Sequence, residues 1–213
     1  MTLLFIGLLV EPFQFPGAKA GAASDIIVTE RKELLYPAGV LIMTSKKTLR
    51  FVVHEHRASR LHYDFRLEIG SVLKSWAVPK GPSMNPVDKR LAVMVPDHTL
   101  EYFDFEGIIP EGEHGAGPVV IWDTGEFNPL DTDDPAEGLA LGKLSFNLRG
   151  KKLKGAFAIA RMKGLPKGTG KEWLLMKKID DYADPGFTLK TALTPGKIKS
   201  LQKRKPPCKT ENR

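Results

Sequence analysis

Cysteine is all but missing from this 213-residue chain: Cys208 stands alone, in a tail rich in Lys and Pro. A single thiol builds neither a disulfide framework nor a Cys-based zinc site, and its place in the tail argues against a cysteine nucleophile. A reducing, cytoplasmic location is expected on the same ground. Long hydrophobic runs are lacking too. The apolar stretch Thr2–Val10 falls far short of the roughly 20 residues that span a bilayer. No Lys or Arg precedes it, as a secretory leader requires. No membrane partner is expected. Also absent are a P-loop, a Gly-x-Gly-x-x-Gly turn and a Gly-x-Ser-x-Gly elbow, which removes three common phosphate-cradling and hydrolytic designs. No long amphipathic helix is evident, which argues against a βαβ fold.

Charge is present but unevenly spread. The net charge is +7, and residues 190–213 hold eight basic residues against one acid, so the tail carries the whole excess. In the body, residues 46–90 hold ten basic residues and four acids, and residues 143–189 hold eleven and four. Between them, residues 91–142 hold twelve acids and no Lys or Arg. Two basic blocks sharing a face would attract a polyanion, with the acidic block expected to point away.

Residues 1–48, broken by Pro12, Pro16, Gly17, Gly21 and Pro37, read as an irregular leader. From Leu49 to about residue 189 the chain reads as short strands between Gly- and Pro-rich turns: 49–53, 61–68, 74–78, 90–95, 101–106, 118–123, 126–127, 144–149, 155–160 and 172–177. This pattern predicts a mostly β protein, a compact antiparallel barrel with short flanking helical turns, one of them within 134–142. Residues 190–213 are expected to be a basic, disordered tail.

Histidine is confined to residues 54–114: His54, His56, His62, His98 and His114. In a strand over Leu61–Glu68, alternation sends Leu61, Tyr63, Phe65 and Leu67 to one face and His62, Asp64 and Arg66 to the other. Imidazole and carboxylate suit a divalent ion such as Mn²⁺, Co²⁺ or Zn²⁺. Arg is no ligand, but beside the ion it can fork onto a phosphate. The turn Arg57-Ala58-Ser59-Arg60 can return His56 to complete a two-His, one-carboxylate set with open positions. Solvated polar residues on an outward strand face would produce the same pattern. His98 and Tyr102 can donate to a phosphate oxygen, with His98 a candidate general acid. Lys80 and Arg90, beside turns, can reach a backbone phosphate. His54 and His114 have no strong claim, although His54 is a possible alternate ligand. The pair His54/His56 also suggests a cupin-like metal barrel, but the later Glu and His of that pattern are not found.

Several stretches are similar to one family. They are Phe51–Glu68, Leu73–Pro82, Asp97-His98 with Tyr102, Phe105–Gly117 and Trp173–Lys178. Together they resemble the 3′-phosphoesterase domain of bacterial DNA ligase D over roughly residues 49–183. The resemblance implies a β-barrel with a metal- and phosphate-binding crater, acting on DNA 3′ ends in repair by end joining. It implies removal of 3′-phosphate and, in many members, of 3′-ribonucleotides. His56, His62 and Asp64 match its metal ligands, Arg66 and His98 its anion site, and Tyr102, Lys80 and Arg90 further active-site positions. Manganese is the usual metal.

Pro96 replaces a carboxylate common in the family, His114 stands where tyrosine is frequent, and the family's upstream Arg/Asp/Glu segment is not evident in residues 1–45. Weak or absent ribonucleotide removal is therefore expected. With no ligase or polymerase module in the sequence, the chain reads as a stand-alone, monomeric version that works with a separate ligase or polymerase. A DNA-end binder without turnover is the alternative.

Overall fold

The computed structural model describes residues 48–164 and 168–207. The expected leader 1–48, apart from its last residue, lies outside the described residues, as do Cys208 and the last part of the tail. Nine strands form one antiparallel sheet: β1 Leu49–Arg57, β2 Leu61–Ile69, β3 Val72–Val78, β4 Lys89–Thr99, β5 Gly107–Ile109, β6 Gly117–Pro129, β7 Lys143–Gly150, β8 Lys154–Arg161 and β9 Glu172–Lys177. Eight of them close on themselves in the order β1-β2-β3-β4-β9-β8-β7-β6, with β6 pairing back to β1, and β5 hangs on β6 as a ninth. The expected β-barrel is what forms. Closure leaves those eight strands without a free edge.

Alternation fills the barrel. Phe51 and Val53 of β1, Tyr63, Phe65 and Leu67 of β2, Trp76 of β3, Phe146 of β7, Phe157 of β8 and Trp173 of β9 all belong to one buried cluster. Phe65 and Phe157 both stack on Phe146, with centroids 5.9 and 6.4 Å away, and Trp76 meets Trp173 edge-on at 5.9 Å. Each such ring removes enough apolar surface to contribute about 1.5–3 kcal/mol.

A second, smaller apolar cluster lies on the outer face of β1–β3. Val52 and Leu73 meet Tyr102, Phe103, Phe105 and Ile109 there. The strand expected at 101–106 is instead a 3-10 turn, Leu100–Tyr102, followed by a loop. Tyr102 and Phe103 are neighbours and both buried, so that segment serves as an apolar lid on the barrel wall rather than as an alternating strand.

The helical turn expected within 134–142 is α1, Pro135–Ala140, capped by Asp134 accepting from the Ala136 amide. A second short helix, α2 Pro195–Ser200, capped by Thr194, lies in the segment 190–213 expected to be a basic, disordered tail. Beyond it Lys203 bridges to Ile108. No helix among the described residues is long and apolar enough to cross a membrane.

Candidate metal centre

The β1–β2 hairpin builds the site. Its register sets His56 directly opposite His62 and His54 opposite Asp64. Alternation then puts His54, His56, His62, Asp64 and Arg66 on the outer wall, with Tyr102 packed over His54 and Arg66. His62 is half-buried, and the other four are not solvated outward residues: Asp64 is 6% and Arg66 2% exposed. One ligand atom from each of His56, His62 and Asp64 lies within 4.8 Å of the others.

Backbone carbonyls set the tautomers. His56 Nε2 donates to the Gly115 carbonyl at 2.7 Å, and His62 Nδ1 donates to the Arg60 carbonyl at 3.0 Å. That leaves lone pairs on His56 Nδ1 and His62 Nε2, each 3.5 Å from an Asp64 oxygen. Lone pairs facing a carboxylate repel it unless a cation lies between, and ion–ligand distances of about 2.0–2.2 Å fit such a gap. Each ligand imidazole thus has a backbone partner on its far side, the usual outer support of a metal-binding histidine. The residues present fit a divalent ion.

Burial raises the Asp64 pKa, but the positive charge of Arg66 leads the effects that reverse this and hold it well below the usual carboxylate range. The Arg66 guanidinium spans the floor. It donates to Asp64 Oδ2 at 3.1 Å, to Ser75 Oγ at 2.8 Å and to His54 Nδ1 at 3.4 Å, with the Tyr102 ring 4.7 Å away. Of its five N–H donors, two remain for an anion.

His98 reaches this face through a β-bulge. Ser75 pairs with Val95 but Leu73 with His98, so β4 carries one extra residue at Pro96-Asp97. Regular pairing would turn the His98 side chain to the barrel side. His98 Nδ1 donates to the Pro96 carbonyl at 2.9 Å, and its ring lies 5.0 Å from that of Tyr102. Burial, with Arg66 beside it, lowers the His98 pKa to about 4.

The remaining predicted residues are less central. Tyr102 is 3% exposed, with its ring packed among His54, His98, Arg66 and Phe105. It therefore positions its neighbours. Lys80 is exposed two residues past Val78, the partner of Tyr63, at the end of the wall where His62 stands. Arg90 is not brought to the site: it pairs with Leu175 in the register that faces the barrel interior, and it bonds Asp88 at 2.7 Å. The acidic block does not point away from the site either. Its segment 97–117 supplies the lid, and Asp97, Glu106 and Glu113 there are paired with Lys74, Lys197 and Lys205.

Sequence reasoning undervalued His54. It is fully buried, it accepts from Arg66, its Nε2 lacks a partner, and burial lowers its pKa to about 3. Its spacing of two from His56 was the available signal.

A family model described as the DNA Ligase D 3′-phosphoesterase domain matches residues 54–161. The multifunctional non-homologous end joining protein LigD of Pseudomonas aeruginosa is 55% identical over 135 residues, 63% of this chain and 16% of that protein. The multifunctional non-homologous end joining DNA repair protein LigD of Mycobacterium tuberculosis is 47% identical over 114 residues, 54% of the chain and 15% of that protein. The Mycolicibacterium smegmatis LigD protein is 42% identical over 137 residues, 62% and 17%. The chain thus spans only about a sixth of the length of these curated relatives. With the β-barrel and its His/His/Asp cluster in place, the chain belongs to the DNA ligase D 3′-phosphoesterase domain family.

Proposed function

We propose that this protein is a metal-dependent phosphoesterase that removes 3′-phosphate from DNA ends during repair by end joining. The observation that carries the reading is the convergence of His56, His62 and Asp64, with both imidazole tautomers set by backbone carbonyls and Arg66 alongside. These three residues would hold the divalent ion, manganese by family resemblance, with cobalt or zinc as alternatives. When bound, it supplies Lewis acidity to a phosphoryl oxygen and lowers the pKa of water.

The chain's own residues do the rest. Arg66 turns its two spare N–H groups on the phosphate and stabilises charge as it builds in the transition state. His98 stays neutral in the free protein. A phosphate dianion beside it raises its proton affinity, so that it can pass a proton to the departing 3′-oxygen. Tyr102 keeps Arg66 and His98 in register. Lys80, with Arg57 and Arg60 of the exposed hairpin turn, contacts the DNA backbone at the rim, independently of base sequence. The catalytic unit is the barrel of residues 49–189. It acts as a cytoplasmic monomer alongside a separate ligase or polymerase, and removes ribonucleotides weakly or not at all, since the family's upstream charged segment is not evident and Pro96 stands where a carboxylate is common.

The test is phosphate release from a 3′-phosphorylated primer-template across Mn²⁺, Co²⁺, Zn²⁺ and Mg²⁺. His62→Ala and Asp64→Ala are expected to lower the rate more than about 100-fold. Wild-type rates in both variants would overturn the assignment.

A further inference from the structure

The acidic lip of the site is neutralised by the C-terminal segment. Lys197 Nζ meets Glu106 at 2.8 Å, and Lys205 Nζ meets Glu113 at 2.7 Å. Backbone pairing holds the segment in place: the Ile108 amide donates to the Gln202 carbonyl at 2.9 Å, and the Arg204 amide to the Ile108 carbonyl at 3.1 Å. The Arg204 guanidinium lies 4.8 Å from the centre of the Phe105 ring. Phe105 in turn stacks on Tyr102 at 4.9 Å. Glu113 is two residues from Gly115, whose carbonyl orients His56. The segment therefore lies against the lid of the metal site, past the end of the family match at Arg161. Lys199, Lys203 and Arg204 remain exposed along it.

We propose that residues 195–205 form a second part of the nucleic-acid surface. They cancel the negative charge of Glu106 and Glu113 and present Lys199, Lys203 and Arg204 to the phosphodiester backbone of the DNA whose 3′ end enters the site. This rests on the reading of the site as a DNA 3′-phosphoesterase. The physical need is plain. A lip carrying unpaired carboxylates repels a polyanion over about a Debye length, roughly 8–10 Å at physiological salt. Tail cations turn that repulsion into attraction. The charge segregation along the sequence then has a spatial meaning: the basic tail folds onto the acidic block.

The experiment uses the full chain and three variants: Lys197→Gln/Lys205→Gln, Glu106→Gln/Glu113→Gln, and all four changes together. Three quantities are measured: affinity for a 3′-phosphorylated primer-template by fluorescence anisotropy from 50 to 200 mM salt, turnover of thymidine 3′-monophosphate, and Mn²⁺ affinity. The lysine pair is expected to weaken DNA binding about 5–10-fold at 50 mM salt, with a shallower salt dependence. Turnover of the mononucleotide and Mn²⁺ affinity should stay within about 2-fold. Adding the glutamate changes should restore DNA binding to within about 2-fold of the wild type. Unchanged DNA affinity in the lysine variant would overturn the proposal. So would parallel losses of Mn²⁺ affinity and mononucleotide turnover, which mark a mechanical brace, and so would no recovery in the quadruple variant. If the wild type releases no phosphate with any metal, the phosphoesterase reading fails, while anisotropy still decides the role of the tail.

Discussion

At the scale of single residues, Gly115 bears most directly on the metal centre. Its φ is +75°, and a Cβ there would lie 3.1 Å from His56 Cε1. Gly115→Ala therefore strains the backbone and pushes on the His56 imidazole. We expect Mn²⁺ affinity, measured by calorimetry, to fall about 10-fold or more. An unchanged affinity would mean that the carbonyl does not set the His56 tautomer. His54 makes a different prediction. His54→Leu removes the acceptor for Arg66 Nε and leaves a buried donor unmatched. Turnover should fall about 10-fold while Mn²⁺ affinity stays within about 3-fold, because His54 contacts the Arg66 guanidinium and lies outside the His56, His62 and Asp64 cluster. The triad His56, His62 and Asp64 was legible in the sequence because a hairpin with alternating faces has few ways to arrange them. The role of His54 was equally written in that alternation, but it became visible only once both faces of β1 proved to be buried.

Among the elements, the bulge in β4 decides which way His98 faces. Deleting Asp97 would restore even pairing between β3 and β4 and turn His98 to the barrel side. We expect phosphate release to fall at least 100-fold in a variant that still melts cooperatively; substantial activity would show that His98 is dispensable. Strand positions from Leu61 to Val78 and from Lys143 to Lys177 were readable because apolar alternation there follows the period of the pleat. The segment 101–106 was misread because its aromatic residues satisfy strand composition while packing on the outside of the wall as a lid. The helix α2 escaped notice because a single capped turn among lysines has no apolar stripe to announce it.

For the molecule as a whole, the buried His54 and the half-buried His98 contribute to the response to acid. Unfolded histidines titrate near 6.5. In the folded protein His54 stays neutral down to about 3 and His98 down to about 4. The unfolded chain binds more protons across that window, so stability falls as pH drops below about 6.5, and the depressed Asp64 adds a further loss below about 4. The metal-free protein should therefore melt at progressively lower temperature from pH 6.5 to 4.5, each histidine contributing up to about 1.4 kcal/mol per pH unit. His98→Gln should remove about half of that slope; the same slope in the variant would assign the acid sensitivity elsewhere. Overall charge was readable as a sum but not as a map, because Lys197 and Lys205 find their carboxylates roughly ninety residues away.

Glu55 faces the barrel end, fully buried, and its carboxylate accepts from the Thr191 hydroxyl and from the Ala192 and Leu193 amides. Those partners are made more than 130 residues after it. Tyr63 of β2 is an early partner of this carboxylate, but its donors at 191–193 do not yet exist when β1 emerges from the ribosome, and it must stay partly hydrated until they arrive. The stretch that closes this end follows β9 in the chain, so the Glu55 carboxylate is desolvated only after all nine strands have been made.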